Sequence, residues 1–338
     1  MGRYPGRLLF MALPPEMAHH LALGLLALPL PWHKVGGRAP DDPSVHVELA
    51  GIPLANPIGL EAGFDKSCAN LDHLGSLGFG YVVGGTITRE PRKGHARPRI
   101  VRRKHELALV NAMGMPNDGA AATARNLSRS ARATPRFASL ADEDPIDVLA
   151  ALESVTEHVE GLELNASSPN ATWPHDAPRI VELLARMRER TTKPIFLKLP
   201  PFDEGQDRDA VLELAAAAAG RGASGFTCSN TRPVRDSGVS RGRGGLSGRP
   251  LFERTPGIVR EVRAAVGRAH PINASGGIFT TDDVLACLEA GATTAQLYTS
   301  LVYEGPGIVG ELVRGLVREL RSRGTDLAAL VEASHGTV

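Results

Sequence analysis

Cysteine is scarce in this sequence: Cys68, Cys228 and Cys287 lie far apart, are odd in number and include no CxxC pair. A disulfide framework, a zinc site and an iron–sulfur cluster are thereby disfavoured, and a reducing compartment fits best. An excess of one charge is missing too. Lys and Arg number 38 against 37 Asp and Glu, a net charge of +1 that speaks against a global nucleic-acid footprint and leaves only local clusters to consider. No hydrophobic run is long enough to span a bilayer. The longest candidate, "LALGLLALPL" (21–30), is half of the ~20 residues required. Nor does a GxGxxG follow the first apolar run, which argues against a doubly wound dinucleotide-binding sheet.

What is abundant is punctuation. Glycine (37) and proline (25) together exceed average usage with no low-complexity tract to absorb them, so tight turns are many. The 338 residues suffice for one large barrel or two ordinary domains. At the N-terminus, Arg3 and Arg7 offer a basic start, but "PWHKVGG" gives no good cleavage site for a signal peptide. Pro14 and Pro15 divide this region into two short predicted helices, 5–13 and 15–28. In the second, Met17, Leu21, Leu25 and Leu28 share one face while Leu23 and Leu26 lie off it, so the helix is apolar over most of its girth. It either packs on the domain or rests in a bilayer interface.

From residue 45 onward, short apolar runs alternate with helical stretches. The runs are "NPIGLEA", "GYVVGG", "RFASLA", "GLELNAS", "PIFLKLP", "GFTCSNT", "PINASGG" and "TAQLYTS". Helical spacing fills 145–158, 178–192, 207–221, 255–268 and 280–290. Eight strand–helix repeats predict an α/β fold, a (β/α)8 TIM barrel. "VHVELAGIPLAN" (45–56) reads as a hairpin capping its bottom. The predicted division is an N-terminal helical extension, 1–40, and a barrel domain, 41–338.

Barrel sites are built from the C-terminal strand ends. Those ends carry Gly63, Asp65 and Lys66; Gly85 and Thr86; Asn165, Ser168 and Asn170; Lys198; Ser229, Asn230 and Thr231; Ser275, Gly276 and Gly277; and Tyr298 and Thr299. Such a concentration of polar and glycine positions is an enzyme's rim. "SGG" and "YTS" occupy the two places where barrels bind phosphate, with Thr280 and Asp282 as caps for the following helix. Lys66 and Lys198 end strands on opposite sides of the mouth, and a buried cation there stabilises an anionic reduced cofactor ring. Asn111, Asn165, Asn170 and Asn230 suit a planar ligand rich in C=O and N–H groups.

The segments "ANPIGLEAGFDKS" (55–67), "GFGYVVGGTIT" (78–88), "LVNAMGMPNDG" (109–119), "NASSPN" (165–170), "FLKLPP" (196–201), "GGLSGRPL" (244–251), "ASGGI" (274–278) and "AQLYTSLVYEGP" (295–306) resemble, in order and spacing, the dihydroorotate dehydrogenase family. The resemblance covers roughly residues 8 to 320 and is to the membrane-linked, quinone-using branch. It implies oxidation of dihydroorotate to orotate, the fourth step of pyrimidine synthesis, with FMN in the barrel mouth. FMN would contact Ala62, Gly63, Lys66, Thr86, Ser139 and Asn165, and further on Lys198, Ser229, Gly248, Gly277, Tyr298 and Thr299. The pyrimidine would contact Lys66, then Asn111, Ala112, Met113, Gly114 and Met115, and also Asn165, Asn170, Asn230 and Thr231.

Ser168 stands where the cytosolic branch has cysteine, and the resemblance makes it the base that takes the C5 proton as FMN takes the C6 hydride. Ser167 is expected to face the barrel wall. The N-terminal helical pair would lead a membrane quinone to the flavin without an iron–sulfur subunit, making this a peripheral protein on the cytoplasmic side of the cell membrane.

This chain departs from the family pattern in places. Ser139 and acidic residues replace an Asn and a Gly-Lys-Asn loop, "ATWPHD" follows "SSPN", Ala112 replaces an arginine, Met115 an aromatic, Glu61 a small residue and Ser67 an asparagine. A diverged barrel oxidoreductase acting on another dihydropyrimidine-like substrate, or a flavin-binding protein without catalysis, are the alternatives. The stretch "REPRKGHARPRIVRRK" (89–104), with eight Lys/Arg and one acid, reads as a solvated hairpin or as a contact for anionic lipid.

Overall fold

The computed structural model describes residues 4, 6–28, 30–35, 39–166, 176–203 and 205–336. Ser167, Ser168 and Asn170, three of the residues singled out above, lie outside them. Eight parallel strands close into a barrel: β1 (Ile58–Leu60), β2 (Tyr81–Ile87), β3 (Arg136–Leu140), β4 (Gly161–Asn165), β5 (Ile195–Lys198), β6 (Gly225–Cys228), β7 (Ile272–Ser275) and β8 (Thr294–Leu297). All eight coincide with the apolar runs of the sequence. Their outward residues meet the surrounding helices, three of which start at side-chain caps. Asp144 accepts from Ile146 N ahead of Pro145–Val155, and Asp176 accepts from Arg179 N ahead of Ala177–Arg190. Before Thr281–Glu289 the capping box pairs Thr280 with Asp283; the expected Asp282 is not the partner, because the reciprocal bond needs the third helical position.

Inward residues follow the period of two and form layers. In the bottom layer Tyr81, Phe137 and Phe196 stack edge to face at 5.4 and 5.6 Å. Glycines on adjacent strands make room for these rings. A Cβ on Gly59 would lie 2.3 Å from Tyr81, one on Gly161 2.2 Å from Phe137 and one on Gly225 2.4 Å from Phe196. The antiparallel hairpin Val47–Leu49/Ile52–Leu54 presses Leu49 and Leu54 onto this cluster and closes the bottom, as expected. Above it lies a polar layer. Glu163 accepts from Thr227, Thr227 from Asn273, and Asn273 from Thr294, whose hydroxyl meets Tyr81 OH. The barrel is thus sealed below and polar upward, so only its C-terminal mouth is open to a ligand.

A second sheet stands at that mouth. Ile100–Arg103, Ala108–Asn111, Arg243–Gly248 and Arg232–Arg235 pair antiparallel in that order. This corrects the reading of 89–104 as a free hairpin: its last four residues but one form a strand, and several of its arginines are tied down. Arg99 is buried and pairs with Glu16 at 2.7 Å, Arg92 pairs with Asp142 at 2.5 Å, and Arg102 donates to Leu13 O.

Besides the short helix Trp32–Val35, two α-helices precede the barrel, α1 (Arg7–Ala12) and α2 (Pro15–Leu26), both within a residue or two of expectation. The Glu16–Arg99 pair and a bond from Arg7 Nε to Tyr303 O anchor them. In α2, Leu26 is buried and Leu23 packs on the core. Met17 and Leu21, with Leu28 just past the helix, face outward, Met17 at 57% exposure, and Leu25 is part exposed and part turned to the cavity beneath. With Leu8, Leu9, Leu30 and Val35, they account for every exposed large hydrophobic among the described residues except Ile146. No described helix is long and apolar enough to cross a membrane.

Candidate active site

A cavity of about 650 Å3 opens at the barrel mouth, well within the range of small-molecule sites. Its deep wall is made by strand ends. A register shift between Gly84 and Ile87 bulges β2 and turns Thr86 inward. Asn165, at the end of β4, donates to Thr86 Oγ1 at 2.9 Å. Thr86 in turn meets Ser139 Oγ at 3.2 Å. Ser139 is fully buried behind Thr86 and braces it, so it stands one layer back from the place expected of a cofactor contact.

On the opposite wall the segment Asn111 to Met115 leaves the antiparallel sheet and runs past His95. His95 N donates to Met113 O at 3.0 Å, and the ring lies against Gly114, where a Cβ would come within 2.8 Å of it. Asn230 and Thr231 complete the polar rim, with Thr231 N donating to Asn230 Oδ1 at 2.7 Å.

Toward β7 and β8 the cavity continues into a pocket of about 20 Å3 lined by Ser229, Gly248, Gly277 and Thr299. Here the glycines are required. Gly277 has φ +72°, and a Cβ there would lie 2.6 Å from Phe252 N and 2.8 Å from Gly248 O. Ser300 Oγ, in the same wall, is buried without a hydrogen-bond partner. A backbone cradle with an unused hydroxyl fits a phosphate group.

Two lysines face the main cavity. Lys66 Nζ donates to Gly63 O at 2.5 Å. Burial lowers its ammonium to about 8, Asp65 opposes the shift, Arg99 adds to it and Glu16 opposes it. The unfolded chain keeps this proton to about pH 10.5, so between roughly 8 and 10.5 it binds more protons than the folded chain, and stability from this group rises with pH. The melting temperature of wild type relative to Lys66→Met should therefore climb across that window; a flat difference would remove the buried-ammonium account. Lys198 is buried at the mouth as expected, and Glu61 pairs with it at 2.6 Å.

A second cavity, about 270 Å3 and largely apolar, lies between the N-terminal helices and the barrel. Phe10, Ala18, His19, Ala22 and Leu26 form its outer side, and Phe64 and Arg102 stand among the barrel-side residues. Burial, with repulsion from Lys66 and then His20, takes the His19 imidazole down to about 3, so it is neutral. Tyr298, Ile100 and Leu109 line both this cavity and the polar one. The two sites share a wall.

The sequence model described as "Dihydroorotate dehydrogenase" matches residues 44–320. A Rhodospirillum rubrum protein named "Dihydroorotate dehydrogenase (quinone)" is 36% identical over 350 residues, covering 97% of this chain and 93% of that protein. One of the same name from Brucella ovis is 34% identical over 347 residues, covering 96% and 93%. The chain belongs to the dihydroorotate dehydrogenase family.

Crystal structures of DHODH from Eimeria tenella share its fold. The complex with ferulenol has a TM-score of 0.81 at 24% identity, covering 94% of each chain; the ligand-free form has 0.82, also at 24%, covering 94% of this chain and 98% of that one. Within this family frame, every described residue expected to touch the substrate lines the 650 Å3 cavity, and the expected cofactor residues, Ser139 apart, line that cavity or the small pocket beside it. His95, Pro201, Val234, Arg235, Arg241 and Arg243 also line it and were not anticipated. For the arginines, the density of "RPVRDSGVSRGRGG" was the available signal.

Proposed function

We propose that the chain oxidises dihydroorotate to orotate in pyrimidine biosynthesis, using FMN at the barrel mouth and a quinone as final electron acceptor. The observation that carries this reading is the pair of cavities, one polar and one apolar, with Tyr298, Ile100 and Leu109 in the lining of both. Such a layout serves a reaction whose two substrates differ in polarity and exchange electrons through one cofactor.

The glycine cradle at Gly248 and Gly277, with Ser229 and Thr299, would hold the FMN phosphate. Ala62, Gly63, Thr86, Asn165 and Tyr298 would border the ring. FMN, when bound, supplies the acceptor for the C6 hydride. Lys66 would meet the negative charge of the substrate, and Asn111, Asn165, Asn230 and Thr231, with the backbone from Ala112 to Met115, would fix the pyrimidine edge. Ser168 would take the C5 proton and Asn170 complete the ring of amides, both from the segment following β4. Holding the two reacting faces in register supplies several kcal/mol where alignment is good.

Residues 1–40 would form the quinone-access extension of the catalytic domain 41–338. Its outward row, Leu8, Met17, Leu21, Leu25 and Leu28, would lie in a membrane interface, placing the protein peripherally on the cytoplasmic side. The largely apolar lining of the cavity beneath, aromatic and aliphatic with a neutral His19, suits an uncharged quinone.

Purified protein loaded with FMN and mixed anaerobically with dihydroorotate should bleach, recover its colour on addition of a quinone, and co-sediment with lipid vesicles. A protein that stays yellow with dihydroorotate but bleaches with another dihydropyrimidine would move the substrate assignment to the departures at Ala112 and Met115. Failure to pellet with vesicles would remove the membrane assignment alone.

A further inference from the structure

The floor of the 650 Å3 cavity carries an ion pair that no local sequence feature announces. Glu61 follows β1 and Lys198 ends β5, strands four places apart in the closed ring of eight and so on opposite sides. Counting by twos from Gly59 and from Phe196, both in the bottom layer, turns both side chains inward. Lys198 Nζ donates to Glu61 Oε1 at 2.6 Å across the barrel, and both residues line the cavity. The lysine is 3% exposed. Glu163 brings a second carboxylate: its Oε2 accepts from Thr227, while its Oε1 is buried with no hydrogen-bond partner. Burial pulls the Lys198 ammonium down, but the charges of Glu61 and Glu163 and the hydrogen bond to Glu61 outweigh it and hold the group above its ordinary range. Whatever sits in the cavity therefore rests on a neutralised pair and not on a bare cation.

We propose that Glu61 is a positioning residue for the redox chemistry. It holds the Lys198 ammonium toward itself and cancels its charge, so the cofactor ring gains less stabilisation on reduction and passes its electrons on more readily. The inference rests on the FMN reading above and goes beyond it by assigning this chain's own carboxylate a part. The reason is electrostatic: reduction builds negative charge on the ring, and a nearby cation favours that charge while a nearby carboxylate opposes it.

Glu61→Gln keeps the shape and removes the charge, and Glu61→Ala removes both. Each variant, reconstituted with FMN beside wild type, would be equilibrated anaerobically with reference dyes to obtain the midpoint potential. Each would also be titrated with sulfite, a nucleophile whose reversible addition to the oxidised ring is favoured by adjacent positive charge. Both variants should have a higher potential than wild type and bind sulfite roughly tenfold more tightly, the scale expected for removing one nearby charge. The FMN absorbance spectrum and dissociation constant establish that each protein is folded and loaded. Loaded variants whose potential and sulfite affinity equal those of wild type would overturn the proposal and leave the FMN reading standing. Wild-type protein that takes up no FMN would overturn both.

Discussion

Replacing Ser168 with alanine should leave the FMN-loaded protein yellow and slow its anaerobic bleaching by dihydroorotate by about 10²–10⁴-fold, the usual contribution of a positioned proton acceptor. The neighbours support the assignment. Three positions before it, Asn165 ends β4 in the cavity wall, held by its bond to Thr86. Six positions after the serine–proline–asparagine stretch, Asp176 caps the helix Ala177–Arg190 and anchors the returning chain. In "NASSPN" the two asparagines would then hold the planar ring and Ser168 receive its proton, with Ser167 turned to the barrel wall. A hydroxyl is a weak base at neutral pH, so the loss should be in the reduction step and not in the affinity for orotate, which a binding titration reads separately. Bleaching at the wild-type rate would transfer the proton to another group. A large loss of orotate affinity would make Ser168 a binding residue instead.

The barrel was legible because its signal is local. Each strand is a short apolar run bounded by turn residues, and all eight emerged where they were expected. The mouth was legible for the same reason, since a strand's C-terminal end is a definite place in the sequence. What escaped was pairing between distant segments. Ile100–Arg103 and Arg232–Arg235 are strands rich in arginine, with no buried face to impose an apolar alternation. They form because Ala108–Asn111 pairs with Arg243–Gly248, more than 130 residues onward. The Glu61–Lys198 pair was hidden in the same way: neither residue has a neighbour in sequence that reports the strand facing it. Ser139 shows a subtler limit. Its position on β3 was right, but the bulge in β2 brings Thr86 in front of it.

Filling the apolar cavity should separate the two halves of the reaction. Ala22→Trp places an indole among Phe10, His19, Leu25 and Leu26, in a space of about 270 Å3. Bulk forced into a packed site costs about 1–3 kcal/mol, and the same cost met by an incoming quinone is roughly a five- to 150-fold loss of its affinity. Because Ala22 borders the apolar cavity and not the polar one, bleaching by dihydroorotate should keep its wild-type rate. Turnover with a small water-soluble electron acceptor should hold as well, while quinone-linked turnover falls. Stopped-flow mixing of the reduced protein with quinone measures the affected step directly. The split follows from geometry: among the described residues the two linings share Tyr298, Ile100 and Leu109 and not Ala22, so a plug on the helix side should leave the polar cavity untouched. If quinone reoxidises the variant as fast as wild type, the electrons leave by another route and the N-terminal helices are not the quinone's door.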